Sequence, residues 1–159
     1  MPESFPPSDV RASLIKYAAF CLNRRPYFRE SIRQKLVLRA RKLKFENSSS
    51  IITAILDDLQ KSGYLDDAYL AGAFVRRQLD KGYGPRIINL KLNRLHLDKN
   101  TIDIALSENA TSVQQIAAIK KYSLKYHSSD RRKLVSRLYS RGFISSIINK
   151  LFDAEYIED

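Results

Sequence analysis

Five apolar positions, Ile88, Leu92, Leu97, Ile102 and Leu106, recur 46 residues later as Leu134, Leu138, Phe143, Ile148 and Phe152. A fixed offset held over five positions marks a repeated structural unit. The four-residue steps inside each set belong to helices. Ala71 and Ala117 share the same offset, and residues 12–62 follow more loosely through Ile32, Leu36, Phe45, Ile52 and Leu56, given an insertion around 40–50. One such unit is too small to bury a core alone, so neighbours must pack on one another. The spacing therefore predicts an all-α chain of three tandem three-helix units in an elongated, curved, solenoid-like array. A disordered lead-in is expected over residues 1–8, with repeats at 9–64, 65–110 and 111–159.

The remaining apolar residues extend the same rhythm. Leu14, Tyr17, Ala18, Cys21 and Leu22 make one stripe, Ile32, Leu36 and Leu43 suggest a second, and Ile51, Ile52, Ile55, Leu56 and Leu59 make a third. The loop 47–50 supplies a serine N-cap before the third. Later faces are expected at Leu70, Ala73, Phe74 and Leu79; at Ile88, Leu92 and Leu95; and at Ile102, Ala105 and Leu106. The last unit shows Val113, Ile116 and Ala117, then Leu134 and Leu138, then Ile147, Ile148, Leu151 and Phe152.

Little in the sequence points to catalysis. The glycines do not form a phosphate-binding loop, and Gly82-x-Gly84 follows a helix rather than a strand, unlike a dinucleotide fingerprint. His96 and His127 have no ligand spacing and read as surface or loop residues. Asp66 and Asp67 suit helix capping, Asp57 and Asp58 a solvated helix face, and Ser128-Ser129-Asp130 another N-cap. No cofactor and no metal are expected, and the chain reads as a non-enzyme. The single cysteine, Cys21, lies on an apolar stripe, which fits a core residue in a reducing cytoplasm. The first residues do not read as a signal peptide, and no apolar run is long enough to span a bilayer.

Charge is where the chain speaks about partners. The net charge is +11, distributed unevenly. Residues 1–46 hold eleven Lys and Arg against four Asp and Glu, residues 47–110 balance, and residues 111–159 carry +4. The first cluster comprises Arg24, Arg25, Arg29, Arg33, Lys35, Arg39, Arg41, Lys42 and Lys44, with Tyr27 and Phe28 among them. Arg25, Arg29 and Arg33 are spaced to share a helix face, where mutual repulsion would be relieved by phosphates or carboxylates. Tyr27 and Phe28 could stack bases, although a core or staple role fits them better. The last cluster comprises Lys120, Lys121, Lys125, Arg131, Arg132, Lys133, Arg137 and Arg141. The apolar faces are committed to a core, which argues against a membrane-surface helix.

Two phrases of helix punctuation sit mid-chain. Gly63-Tyr64-Leu65-Asp66-Asp67 closes one helix and caps the next; Lys81-Gly82-Tyr83-Gly84-Pro85-Arg86-Ile87 closes that one and opens another. These phrases, with Arg141-Gly142-Phe143 and the Ile32–Leu36 helix, resemble the RecX family of recombinase regulators. The likeness is sharpest over 63–95 and extends more weakly over 10–157. In the family the helix after the Arg-Pro step opens with a serine cap and acidic residues. Phe28, Arg29 and Ser31 stand in those places here.

The resemblance implies a regulator of RecA in homologous recombination, DNA repair and the SOS response; a cytoplasmic monomer is expected. Such a protein lies along the groove of the RecA–single-stranded-DNA filament and alters filament growth, ATP hydrolysis and strand exchange, usually as an inhibitor. Expected RecA or DNA contacts are Arg24, Arg25, Arg29, Arg33, Arg131, Arg132 and Arg137, followed by Arg76, Arg77 and Arg86. Gly63, Tyr64, Leu65, Asp66, Asp67, Lys81, Gly82, Tyr83, Gly84, Pro85, Arg141, Gly142 and Phe143 are assigned to the fold. The competing reading is a stand-alone basic nucleic-acid binder that competes for DNA. A metal-dependent nuclease finds no residues to support it.

Overall fold

The computed structural model describes residues 7–45, 47–126 and 130–154. Among them run nine helices and no strand: α1 (Pro7–Leu22), α2 (Arg29–Lys42), α3 (Ser49–Lys61), α4 (Asp67–Asp80), α5 (Pro85–Arg94), α6 (Lys99–Asn109), α7 (Ser112–Lys125), α8 (Arg131–Ser140) and α9 (Ser145–Ala154). The chain divides into two compact units, residues 1–70 and 71–159, with the boundary inside α4. Helix α1 begins within the expected lead-in, because proline is tolerated in a first helical turn, where its missing N–H has no partner to lose.

In the first unit, Val10, Leu14, Ala18 and Cys21 of α1 meet Ile32, Leu36 and Ala40 of α2 and Ile52, Ile55 and Leu56 of α3, with Leu65 closing the core. Each of the larger side chains contributes about 1.5–3 kcal/mol on full burial. Helix α2 has 14 residues where α5 and α8 have 10, so much of the insertion near residue 40 is one additional helical turn, which buries Ala40. Helix α3 starts at Ser49 rather than after the serine run. Ser48 precedes it in helical backbone geometry and makes no side-chain cap bond.

In the second unit, Ile88, Leu92, Leu97 and Ile102 are buried, as are Leu134, Leu138, Phe143 and Ile148 at the repeat offset. Leu106 is half-buried, whereas its counterpart Phe152 is buried. The pairing of Ala71 with Ala117 does not hold: Ala71 is buried and Ala117 exposed. Two faces are also shifted from expectation. Helix α4 buries Ala71, Gly72, Val75, Gln78 and Leu79, leaving Leu70, Ala73 and Phe74 half-buried. Helix α7 buries Gln115, Ala118, Ile119 and Tyr122, with Val113 exposed. Gln115 can be buried because its amide donates to the Ala110 carbonyl at 2.7 Å, capping α6.

The helix ends follow one rule. Every left-handed residue among those described, namely Lys44, Gly63, Gly82, His96 and Gly142, stands just beyond a helix C-terminus. After Gly63, Gly82 and Gly142 the next amide reaches back to the helix: Tyr64 to the Leu59 carbonyl at 2.9 Å, Tyr83 to Gln78 at 3.0 Å and Phe143 to Leu138 at 3.3 Å. Lys44, His96 and Gly142 end α2, α5 and α8, and the residues after them, Phe45, Leu97 and Phe143, are the central positions of the repeat.

Candidate basic interface

Helix α2 organises the basic face of the first unit. Ile32, Leu36 and Ala40 form its buried stripe. Lys35 and Arg39 flank that stripe on one side; Arg33, Val37 and Arg41 flank it on the other, at successive i+4 steps. Arg39, Arg41 and Lys42 in the last turn also face the negative end of the helix dipole, which gives their charge a structural use.

Beside α1 the cations lie on aromatic rings. The Arg24 guanidinium is 5.2 Å from the centre of the Phe20 ring, and Arg39 is 5.6 Å from Tyr17. Tyr27 is covered by Arg25 at 4.6 Å and Lys35 at 5.2 Å, and it also packs against the core. Its ring therefore serves the fold rather than offering a free stacking face. Phe20 is 56% exposed and does offer one. The exposed guanidinium groups of Arg24 and Arg25, held over these rings, leave N–H donors available to phosphate or carboxylate oxygens.

The expected row of Arg25, Arg29 and Arg33 does not form. Arg25 precedes α2, so only the other two lie on that helix. Arg29 is committed to the fold: its guanidinium donates to Asp57 at 2.6 Å and Gln60 at 2.8 Å, tying α2 to α3. Arg33 forks onto both carboxylate oxygens of Glu30, at 2.6 and 2.7 Å. Those bonds and the Glu30 charge raise its pKa above the ordinary arginine value, so it is charged but locally neutralised. Asp57 and Asp58 lie on a solvated helix face, as expected, and there pair with Arg29 and Arg11.

Asp67 takes an unexpected part. Asp66 caps its own helix α4, accepting from the Tyr69 amide at 2.9 Å. Asp67 reaches to α2 and accepts the Arg29 amide at 2.8 Å. Phe28, the N-cap of α2, has no side chain for that task, so the cap comes from 38 residues away.

In the second unit the phrase at 81–87 meets Arg141 and Gly142. The amides of Gly84 and Arg86 at the start of α5 donate to the carbonyls of Arg141 and Gly142 at the end of α8, at 2.8 and 3.1 Å. Arg141 donates to the carbonyls of Gly82 and Lys81, the latter at 2.7 Å. Its guanidinium lies 4.4 Å from the Tyr83 ring centre and 4.5 Å from that of Tyr122. Lys91 also sits over Tyr83, at 3.3 Å. By contrast Tyr64, assigned with these residues to the fold, is 67% exposed.

Among the second-unit arginines, Arg76 is bonded to Asn109 and Arg77 lies 5.7 Å from the Phe74 ring centre. Arg86 is exposed. Arg131 is bonded to the Phe152 carbonyl and stacks on that residue's ring, while Arg132 and Arg137 are exposed on α8. Asp130 caps α8 through the amides of Arg132 and Lys133; Ser128, Ser129 and His127 lie outside the described residues. Among the described residues no cluster of three potential metal ligands forms, and no helix is long and apolar enough to cross a membrane.

Comparison with known proteins fits this geometry. The model of the RecX second three-helix domain matches residues 66–106, from the Asp66 cap to the last repeat position of α6. A regulatory protein RecX of Thermus thermophilus is 31% identical over 129 residues, covering 81% of this chain and 82% of that protein. The chain belongs to the RecX family. A RecX of Pseudomonas tolaasii is 28% identical over 156 residues, 95% of this chain and 97% of that one. The crystal structure of RecX from Lactobacillus salivarius superposes with a TM-score of 0.76 at 24% identity, over 92% of this chain and 97% of that chain, which shows the shared all-helical fold. The family name is that of a regulatory protein, and within the second unit the phrase at 81–87 meets Arg141 and Gly142 through the α5–α8 backbone bonds and the docking of Arg141.

Proposed function

We propose that this protein regulates the RecA recombinase, chiefly as an inhibitor, by lying along the groove of the RecA–single-stranded-DNA filament. There it alters filament growth, ATP hydrolysis and strand exchange. Membership of the RecX family is the observation that carries the reading. The stacked cations of the first unit supply a suitable surface, because they can meet acidic protein and DNA backbone alike. We assign contact roles to Arg24 and Arg25, and at the other end to Arg132 and Arg137, with Arg33, Arg76, Arg77, Arg86 and Arg131 in support. Each helix triplet acts as one repeat, and the protein works as a cytoplasmic monomer, gaining affinity from several weak contacts.

The exposed Phe20 beneath Arg24 favours one second reading, a stand-alone binder of single-stranded DNA. One experiment separates the two. The protein is added to a preformed RecA filament on single-stranded DNA at amounts far below RecA and too small to cover the DNA. A fall in ATP hydrolysis there supports direct action on the filament. A fall only when the protein is abundant enough to coat the DNA overturns it in favour of competition.

A further inference from the structure

Between α2 and α3 of the first unit lies a cleft of about 770 Å³, within the ~300–1,000 Å³ range of small-ligand sites. It is lined by Arg41 and Lys44, by the half-buried Val37 and Phe45 over the core residue Ile52, and by Ser48 where α3 begins. Arg33 also lines it but is held by Glu30. Arg41 and Lys44 have no acidic partner among the described residues. Ser48 is 8% exposed, and its side chain makes no cap bond. Two cations, the Ser48 side chain and the positive end of a 13-residue helix therefore line one cleft together with apolar side chains.

We propose that this cleft binds one phosphate of a single-stranded nucleic acid, with the attached base against Val37 and Phe45. The cations, the Ser48 hydroxyl and the helix terminus supply phosphate chemistry. The apolar side chains supply a face for a base, which a free phosphate or an acidic peptide would leave unused. A duplex is disfavoured because its bases are already stacked on their neighbours. The proposal extends the DNA side of the proposed function, but its test contains no recombinase, so its failure leaves the regulator reading standing.

Lys44 makes the test clean. It holds a left-handed backbone with φ of 56°, where the corresponding residue after α8 is Gly142. Lys44→Gly therefore removes a charge while easing the backbone, and the melting temperature should hold or rise. The full chain and the double variant Arg41→Gln/Lys44→Gly are titrated against a labelled oligothymidylate by fluorescence anisotropy over a range of salt. Affinity should fall about tenfold, and the slope of log affinity against log salt should flatten by roughly 0.7, the share of one lost phosphate contact on a single strand. A well-folded double variant with unchanged affinity and slope overturns the site. Equal binding of an abasic strand of the same length overturns the base assignment. Displacement by inorganic phosphate at concentrations matching the oligonucleotide's phosphates overturns the strand in favour of a simple anion site. Displacement by polyglutamate at equal charge overturns it in favour of an acidic protein.

Discussion

The amide of Gly84 donates to the carbonyl of Arg141 at 2.8 Å, so the start of α5 is closed by the end of α8. A helix start leaves amides without acceptors and a helix end leaves carbonyls without donors. Here two helix ends satisfy each other, and the backbones must come very close to do so. A Cβ placed on Gly84 would stand 2.2 Å from the Phe143 nitrogen and 2.3 Å from the Gly142 carbonyl carbon. Gly84 itself has an ordinary φ of −85°, so its requirement for glycine comes from this contact and not from backbone conformation.

Gly84→Ala should therefore destabilise the protein by about 3 kcal/mol or more, since backbone atoms cannot yield as side chains do. Gly63→Ala is the contrast: φ is 75° but the space around it is open, so the cost should be about 1 kcal/mol. Urea denaturation of both variants checks the order. A smaller loss at Gly84 than at Gly63 would refute the contact as the cause.

Arg141 stacks with two tyrosine rings while donating to two carbonyls at the end of α4. Lysine keeps the charge but has neither the plane nor the fork. Arg141→Lys should cost about 2 kcal/mol. A denaturation midpoint within error of the parent would show that charge alone is needed.

Asp67→Ala should cost about 1 kcal/mol, the usual scale for losing an N-cap. The location of the effect is the sharper test. Asp67 belongs to α4, but it is the Arg29 amide of α2 that loses its acceptor. Hydrogen exchange should accelerate at Arg29 and at the first turn of α2. Acceleration confined to α4 would contradict the long-range cap.

The helical class, most apolar stripes and the glycine caps were legible because each is set by residues within a turn or two. The α7 face was not. Val113 and Ala117 looked like core, yet Gln115 and Tyr122 are buried instead. A buried glutamine depends on an acceptor, here Ala110, and Tyr122 on the bare face of Gly82, where a Cβ would come within 2.4 Å of its ring. Neither partner can be read from a local pattern. Among the candidate contacts, spacing alone suggested one face for Arg25, Arg29 and Arg33. The turn before α2 and the distant partner Asp57 separated them. Arg41 and Lys44 stood in the sequence as part of a basic cluster. Their convergence with Ser48 required the start of α3 to be placed beside them.

Charge reversal now discriminates residues that the sequence grouped together. Arg24→Glu/Arg25→Glu alters exposed side chains and should leave stability within about 0.5 kcal/mol. It should weaken binding to the RecA filament, most visibly at low salt. Arg29→Glu sets an acid against Asp57 and should cost about 1 kcal/mol of stability. Circular dichroism melts beside filament co-sedimentation read both effects. Full binding by the Arg24/Arg25 variant would remove that patch from the interface.

Asp98 caps α6, accepting from the Thr101 amide at 2.9 Å and the Thr101 hydroxyl at 2.6 Å. The bonds from Thr101 hold its carboxyl below the ordinary value of 3.8. A lowered folded-state pKa means that the carboxylate binds protons less readily in the folded protein than in the unfolded chain. Its stabilisation is therefore complete above the ordinary value, declines as pH falls below it, and is lost once pH passes through the lower folded-state value. Asp98→Asn keeps a good capping oxygen without titrating. Urea midpoints of the two proteins, compared from about pH 6 down to about pH 2, should differ most at the upper end and draw together as pH falls. A gap that stays constant across that range would mean that the cap acts through hydrogen-bond geometry alone and not through the charge of Asp98.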